Sequence, residues 1–431
     1  MTSPEGLGLT GGGWPTLFGI PVDFILFALT LIGVALLHRH TLQVALSGLG
    51  IILFYKLIFT GFREGAGLTG LVYHFQHEWV ILANLLCLLL GFALLSNQFE
   101  QSKVPEVLPR FLGSGVVGTF TLLVFIFVLS SFLDNIAAAL IGGTIANIVF
   151  RHKVHVGYLA AIVAASNAGG SGSVVGDTTT TMMWIAGISP LAVTHAYVAA
   201  LPALLVCGIP AALLQHRHAP MLEYTPSEEH PVDWARLGIV FFILILAIVA
   251  NVLANVVFLG LADAFPVIGV AVWVALLLSA PLRQPDWSLL PEALKGSIFL
   301  LSLVVCASLM PVEKLPAASW QTALTLGFVS AVFDNIPLTA LSIAQGGYDW
   351  GMLAYAVGFG GSMIWFGSSA GVALTNLFPE AKSTGRWLRE GWFVTLAYVV
   401  GFFILLNVLG WQPTPEHQAA VSAAVPVSAS H

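Results

Sequence analysis

Apolar residues run almost unbroken through stretches near 18–37, 41–60, 78–96, 191–214, 236–260, 265–281, 297–311 and 390–409. Most of these runs are long enough to cross about 30 Å of hydrocarbon as helices. Four other apolar stretches, 113–150 and 155–188, then 319–347 and 350–378, carry Gly, Asn, Asp and Ser where a plain span would be uniform. Each half of the chain therefore reads as three plain helices, a hairpin that enters and leaves by one side, a Gly-broken helix and a closing helix.

The interrupted stretches repeat. "SSFLDNIAAAL" places Asp134 before Asn135, and "SAVFDNIPLTAL" places the same pair 200 residues on, at Asp334 and Asn335. "GGSGSVVGDTTTT" from Gly169 aligns with "GGSMIWFGSSAGV" from Gly360, sharing Gly-Gly-Ser, four residues and a further glycine, Gly176 or Gly367. Five crossings per half set the second half on the opposite side from the first, the inverted-repeat plan of many secondary transporters. The predicted fold is an all-α polytopic membrane protein with inverted-topology repeats, each with a re-entrant helical hairpin and a broken transmembrane helix. Its expected divisions are an extracytoplasmic segment 1–15, a first repeat 16–214, a cytoplasmic linker 215–235, a second repeat 236–410 and a disordered tail 411–431.

Composition agrees with membrane insertion: 58% of the 431 residues are hydrophobic and 8% charged, against about 45–50% and 25% in soluble domains. With the N-terminus outside, Arg39, Lys103, Arg110, Arg151, Lys153, Arg217, Arg236, Arg283, Lys295, Lys382, Arg386 and Arg389 fall on the inner side. Only Lys56, Arg63 and Lys314 fall outside, as the positive-inside rule requires. The first hairpin then opens from the cytoplasm and the second from outside. The net charge of −6 concerns loops, and no basic stripe suggests nucleic acid. Cys87, Cys207 and Cys306 lie in apolar segments without metal-ligand spacing and read as packing residues. The first fifteen residues lack a basic leader region, so the first membrane helix is expected to direct insertion.

Three carboxylates, Asp134, Asp177 and Asp334, fall inside the interrupted stretches, where a charge costs about 2.5–3.5 kcal/mol on the insertion scale. An acid before an apolar helix is also a good N-cap. Ser368, the match of Asp177 in the second half, caps without carrying charge, so capping alone does not require Asp177. Neutral oxygens surround the acids: Asn135, Asn335 and Asn167, then Ser171, Ser173, Thr178 and Thr179, then Ser362, Ser368 and Ser369. Hard cations take such ligands, although each hydroxyl alone reads equally as bonded back to its own helix. Gly169, Gly170, Gly360 and Gly361 permit unwound backbone whose carbonyls are further ligands. Ser330, matching Ser130, either lines its hairpin or packs small against a neighbour. Pro337 suits the first turn of a returning helix. Lys56 reads as a snorkelling residue at the outer end of its span. His74, His77, His195, His216 and His218 read as solvated edge residues.

"SSFLDNIAAAL", "SNAGGSGSVVGDTTTTMMW", "FDNIPLTA" and "WFGSSAGVALTN" resemble the NhaD-type sodium/proton antiporters of the ion transporter superfamily, over roughly residues 113–190 and 325–378. The resemblance implies exchange of sodium or lithium for protons, with functional positions at Asp134, Asn135, Asn167, Asp177, the Thr178–Thr181 run, Ser330, Asn335, Ser368 and Ser369. It implies no cofactor beyond the transported ions, a two-fold homodimer, and elevator-like movement of the hairpin-bearing unit. Sodium is expected at Asp177, Asp134 and Asp334, in a multi-pass protein of the cell inner membrane whose other partner is lipid. Proton and sodium would compete for one carboxylate site whose exposure alternates.

A dicarboxylate or oxyanion carrier of the same superfamily is the main rival, since half-helix N-termini suit anions. Such a site is expected to present Ser-Asn-Thr tips or an intramembrane arginine, whereas three of the four breaks here carry Asp. A channel or scaffold in which the breaks merely pack is the second rival. No nucleophile–base pair or phosphate loop supports an enzyme.

Overall fold

The computed structural model describes residues 15–17, 19–37, 40–107, 112–221, 231–254 and 261–414. Residues 1–14, Arg39, Arg110, the middle of the 215–235 linker, positions 255–260 of the 236–260 run and the tail beyond 414 lie outside them.

Among the described residues the regular structure is helical, apart from a two-residue antiparallel pairing of Thr16–Leu17 with Ile20–Pro21 and an isolated bridge between Phe62 and Gly65. It is an all-α, multi-pass membrane protein. Every plain apolar run is met by helix: Val22–Leu36, Thr41–Tyr55, Gly67–Gln101, Tyr197–His218, Trp234–Val252, Val267–Ser279, Leu290–Ser308 and Trp392–Leu409. The 35 residues of Gly67–Gln101 extend for about 50 Å at 1.5 Å per residue, well past the 78–96 core of the run. Tyr197–His218 continues beyond 214, so Gln215 and His216 belong to its last turn.

The interrupted stretches become four helix pairs. Gly115–Ser130 turns back into Asn135–Val149, and Trp320–Ser330 into Asn335–Gln345. The reversals fall at Asp134 and Asp334, whose extended backbones are the N-caps of the returning helices. Val156–Ser171 stops before Thr178–Ile185, and Trp350–Gly360 stops, after a short 3-10 turn, before Ser369–Leu377.

The two apolar cores divide the helices. One gathers both hairpins, both broken helices and their closing helices Tyr197–His218 and Trp392–Leu409. The other packs Val22–Leu36, Thr41–Tyr55 and Leu290–Ser308 together, and reaches the first core through Met182, Ile336, Ala340 and Leu341. The helix Val156–Ser171 is buried along its whole length and crosses Trp350–Gly360 at the centre. Each returning hairpin helix packs on the far part of the other half's broken helix: Asn135–Val149 on Ser369–Leu377, and Asn335–Gln345 on Thr178–Ile185. Cys87, Cys207 and Cys306 are free.

Two polar groups outside the breaks depart from expectation. Lys56 does not snorkel: it is 2% exposed, at the start of a π-helical turn Lys56–Thr60, with its Nζ 3.5 Å from Asp23 Oδ1. A charged head buried in apolar packing needs a partner, and Asp23, in the first turn of its helix, supplies one. His74 is likewise buried rather than solvated, its Nδ1 3.2 Å from Glu64 Oε2 and its Nε2 3.1 Å from Ser308 Oγ.

Candidate functional site

The site forms where the two broken helices cross. Asp177 ends the first unwound stretch and caps the helix Thr178–Ile185: Thr179 N donates to its Oδ1 at 3.2 Å and Thr179 Oγ1 to its Oδ2 at 2.9 Å. Ser368 occupies the matching place, its Oγ accepting from Gly371 N at 3.3 Å. Both ends need such acceptors, because the first N–H groups of a helix have no partner within it. The first is met by a carboxylate, the second by a hydroxyl.

Asp177 is buried, while Asp134 and Asp334 at the hairpin reversals are half-buried. Asn135, next to Asp134, bonds to Asn167, and Ser369 bonds to Asp334, so both tips are tied to the breaks. Asp334 Oδ1 accepts from Ile336 N at 3.0 Å and its Oδ2 from Ser369 Oγ at 3.1 Å. Among the described residues no salt bridge involves any of the three acids; the ion pairs lie elsewhere.

A chain of neutral groups ties the halves together. Asn135 Nδ2 donates to Asn167 Oδ1 at 3.0 Å, and Asn167 Nδ2 donates to Ser362 Oγ at 2.9 Å and Ser368 Oγ at 3.1 Å. One amide on the first broken helix thus joins the first hairpin tip to both serines of the second break. Asn335 is buried at the other tip, its carbonyl accepting from Thr339 Oγ1 at 2.9 Å.

The remaining hydroxyls divide by partner. Thr180 and Thr181 bond back to Asp177 O at 2.8 and 2.9 Å and also reach Ser173 O and Val174 O, at 2.5 and 2.9 Å, which folds the break onto the helix it starts. Ser171 donates to Ala168 O, and Ser173 Oγ accepts from Val175 N, so both serve local backbone. Thr178 is half-buried at the first helical position. Ser330 Oγ donates to Val357 O at 2.7 Å and fastens the second hairpin to the second broken helix. Ser130, its match, is fully buried with an Oγ that has no hydrogen-bond partner. Sequence reading used Ser130 only as an alignment mark, yet the serine shared by both hairpins was the available signal.

The glycines do something other than unwind the chain. Gly169 and Gly170 are still helical, as is Gly360, and the open stretches lie beyond them. A side chain at Gly169 would strike the Phe127 carbonyl, and one at Gly360 the Gly327 carbonyl. Gly176 and Gly367 meet Ser130 O and Ala331 O in the same way, while Gly170 and Gly361 back onto Gly176 and Gly367. These glycines let each hairpin's first helix lie against its own break. Gly358 stands at the place matching Asn167, and a Cβ there would sit 3.4 Å from Asp177 Oδ2.

No protein-family model matches the chain. In sequence it is 27% identical over 327 residues to sodium/proton antiporter 1 of Arabidopsis thaliana, covering 67% of this chain and 53% of that protein. It is also 27% identical over 299 residues to sodium/proton antiporter 2 of the same plant, covering 58% of this chain and 67% of the relative. The chain spans about half the length of the first of these relatives. Among solved structures it is similar to the Alcanivorax borkumensis YdaH transporter, at 14% identity and a TM-score of 0.42, covering 87% of this chain and 97% of that one.

Proposed function

We propose that this protein is a secondary transporter that exchanges sodium or lithium for protons at the site built around Asp177, Asp134 and Asp334. The observation that carries the reading is a buried carboxylate whose partners among the described residues are neutral donors, with two more acids at the hairpin tips that are tied to the breaks. Burying an uncompensated charge costs several kcal/mol, so the site gains from anything that neutralises Asp177. A proton does so by covalent attachment, and an alkali cation does so with neutral oxygens completing its shell. One carboxylate therefore holds either ion in turn. The likeness to proteins named sodium/proton antiporters supports the same exchange.

On this reading Asp177 carries the exchange, Asp134 and Asp334 set the local charge from the two tips, and the Thr179, Ser369, Asn135 and Asn335 oxygens supply neutral ligands. Ser130 Oγ, without a partner of its own, joins them. Asn167, Ser362, Ser368 and Ser330 hold the broken helices and hairpins in register. We further take the halves as inverted repeats in a cell inner membrane, possessing no cofactor and pairing as a homodimer, with the Asp134 hairpin opening inward and the Asp334 hairpin outward. Exposure of the site then alternates as the hairpin-bearing unit moves.

The test is recovery of a quenched pH dye in everted vesicles on addition of sodium, lithium, potassium or a dicarboxylate. Sodium and lithium are expected to move protons while potassium and the dicarboxylate do not. Recovery with the dicarboxylate alone would make this an anion carrier, and proton movement that ignores the sodium gradient would make it a channel.

A further inference from the structure

The first broken helix is anchored at its basic end by an unusual cap. His155 precedes Val156–Ser171, and its Nδ1 accepts from Gly157 N at 3.0 Å. A backbone N–H only donates, so Nδ1 must carry the lone pair and the ring proton must sit on Nε2. That nitrogen lies 3.6 Å from Glu390 Oε2, an oxygen with no hydrogen bond of its own. The ring is therefore held between two alternatives: neutral, it caps the helix; protonated, it loses the acceptor and gains a charge partner.

We propose that His155 is a proton-responsive positioning residue, whose neutral ring caps the first turn of the first broken helix and whose protonation gives up that cap in favour of Glu390. The inference rests on the exchange reading of the Asp177 site. The loop before the helix is held in either state, since Gln215 Oε1 accepts from His155 N at 2.7 Å and Gln215 Nε2 donates to Lys153 O at 3.0 Å, so the change falls on the first helical turn. What changes is the cap. Helix Val156–Ser171 is buried throughout, and Asn167 lies about 17 Å along it from the cap, at 1.5 Å per residue. Asn167, on the same helix, joins the first hairpin tip to Ser362 and Ser368, so the order of the capped turn bears on the site through this one helix.

The surroundings favour the neutral ring at rest. Burial holds the His155 pKa below its ordinary 6.5, Glu390 pulls it back up, and His218 and Arg386 push it further down. The charged and titratable groups about it are Arg151, His152 and Lys153 on its own loop, His216, Arg217 and His218 at the end of Tyr197–His218, and Arg386, Arg389 and Glu390 on Thr384–Glu390. The His218 ring meets it edge-on at 5.3 Å between centroids. Because the folded pKa is depressed, the cap contributes fully above pH 6.5 and is lost as pH falls through the lower folded value. On the reading above, the positive-inside rule places this face in the cytoplasm, so inner pH is the variable to which the cap answers.

The variants His155→Asn and His155→Ala separate capping from titration, because Asn caps without gaining a proton and Ala does neither. Two measurements on the full chain are needed: thermal unfolding of the purified protein from pH 5.5 to 8, and sodium-driven proton flux as a function of inner pH. H155N is expected to keep flux above neutral pH, to carry its acid limb to lower pH than the parent, and to lose the parent's acid-side fall in unfolding temperature. H155A should unfold earlier and transport more slowly at every pH. Superimposable pH profiles for parent and H155N in both measurements would overturn the proposal. Absence of sodium-driven flux in the parent would instead sink the exchange reading, and the unfolding profiles would still decide the role of His155.

Discussion

Asp23 and Asp177 are both buried acids in an apolar frame, and the chain treats them in opposite ways. Asp23 has a lysine within 3.5 Å, and its two oxygens make no hydrogen bond. Asp177 has two hydrogen bonds from Thr179 and no salt bridge among the described residues. A carboxylate needed only for structure is best matched by a permanent cation, whereas hydrogen bonds from neutral donors orient an acid without cancelling its charge. The protein places its lysine where charge must stay silent. It leaves Asp177 to be neutralised by something that comes and goes.

The sharpest way to break this contrast is to remove the charge of Asp177 and keep its cap. Asn and Ser are both good N-caps and neither carries the buried charge, so Asp177→Asn and Asp177→Ser should leave the protein at least as stable as the parent. Sodium-driven proton movement in everted vesicles is expected to vanish in both. The serine variant copies what the second half already does at Ser368, and exchange at normal sodium affinity in it would reduce Asp177 to a cap.

At the other pole, Lys56→Met should strand Asp23 and cost about 3–5 kcal/mol, the usual penalty for removing one member of a buried pair. Thermal unfolding in detergent reads it directly. Adding Asp23→Asn removes the stranded charge, so the double variant should recover most of the loss. If the double variant recovers stability and still exchanges sodium for protons, the pair is structural. Loss of exchange in a stable double variant would place Asp23 and Lys56 in the transport chemistry and erase the contrast.

The two regions also differ in what the sequence let through. Gly, Asn and Asp inside apolar runs announce themselves, because each is costly in a membrane helix without a reason, and the helix ends at Ser171, Gly360, Asp134 and Asp334 follow from them. Asp23 is silent in the same reading. An acid near the start of an apolar run looks like a membrane-edge residue, and nothing in the run marks its pairing with Lys56, which follows the next helix. His74 is hidden for the same reason, since Ser308 comes from a helix more than two hundred residues away. Pairings between the halves were equally out of reach: hydropathy marks Asn167, Ser362 and Ser368 as odd, but only the crossing of the broken helices makes them one hydrogen-bonded set. Matched residues are not matched in role either, for Ser330 is bonded to Val357 O while Ser130 has no partner.

Ser368 offers the smallest and most discriminating step. Its hydroxyl accepts from Gly371 N and from Asn167 Nδ2, so Ser368→Ala removes a cap and one of the two acceptors of the Asn167 amide. The cap is worth about 1 kcal/mol, and Asn167 keeps Ser362 as its other acceptor. Stability should fall by about that amount in thermal unfolding. The apparent sodium affinity should weaken by less than about tenfold, which corresponds to 1.4 kcal/mol. Ser368→Thr, which retains the hydroxyl, should restore both. An outright loss of exchange in a folded S368A protein would mean that the hydroxyl is itself indispensable to the ion, and the uncharged break would then rank with Asp177.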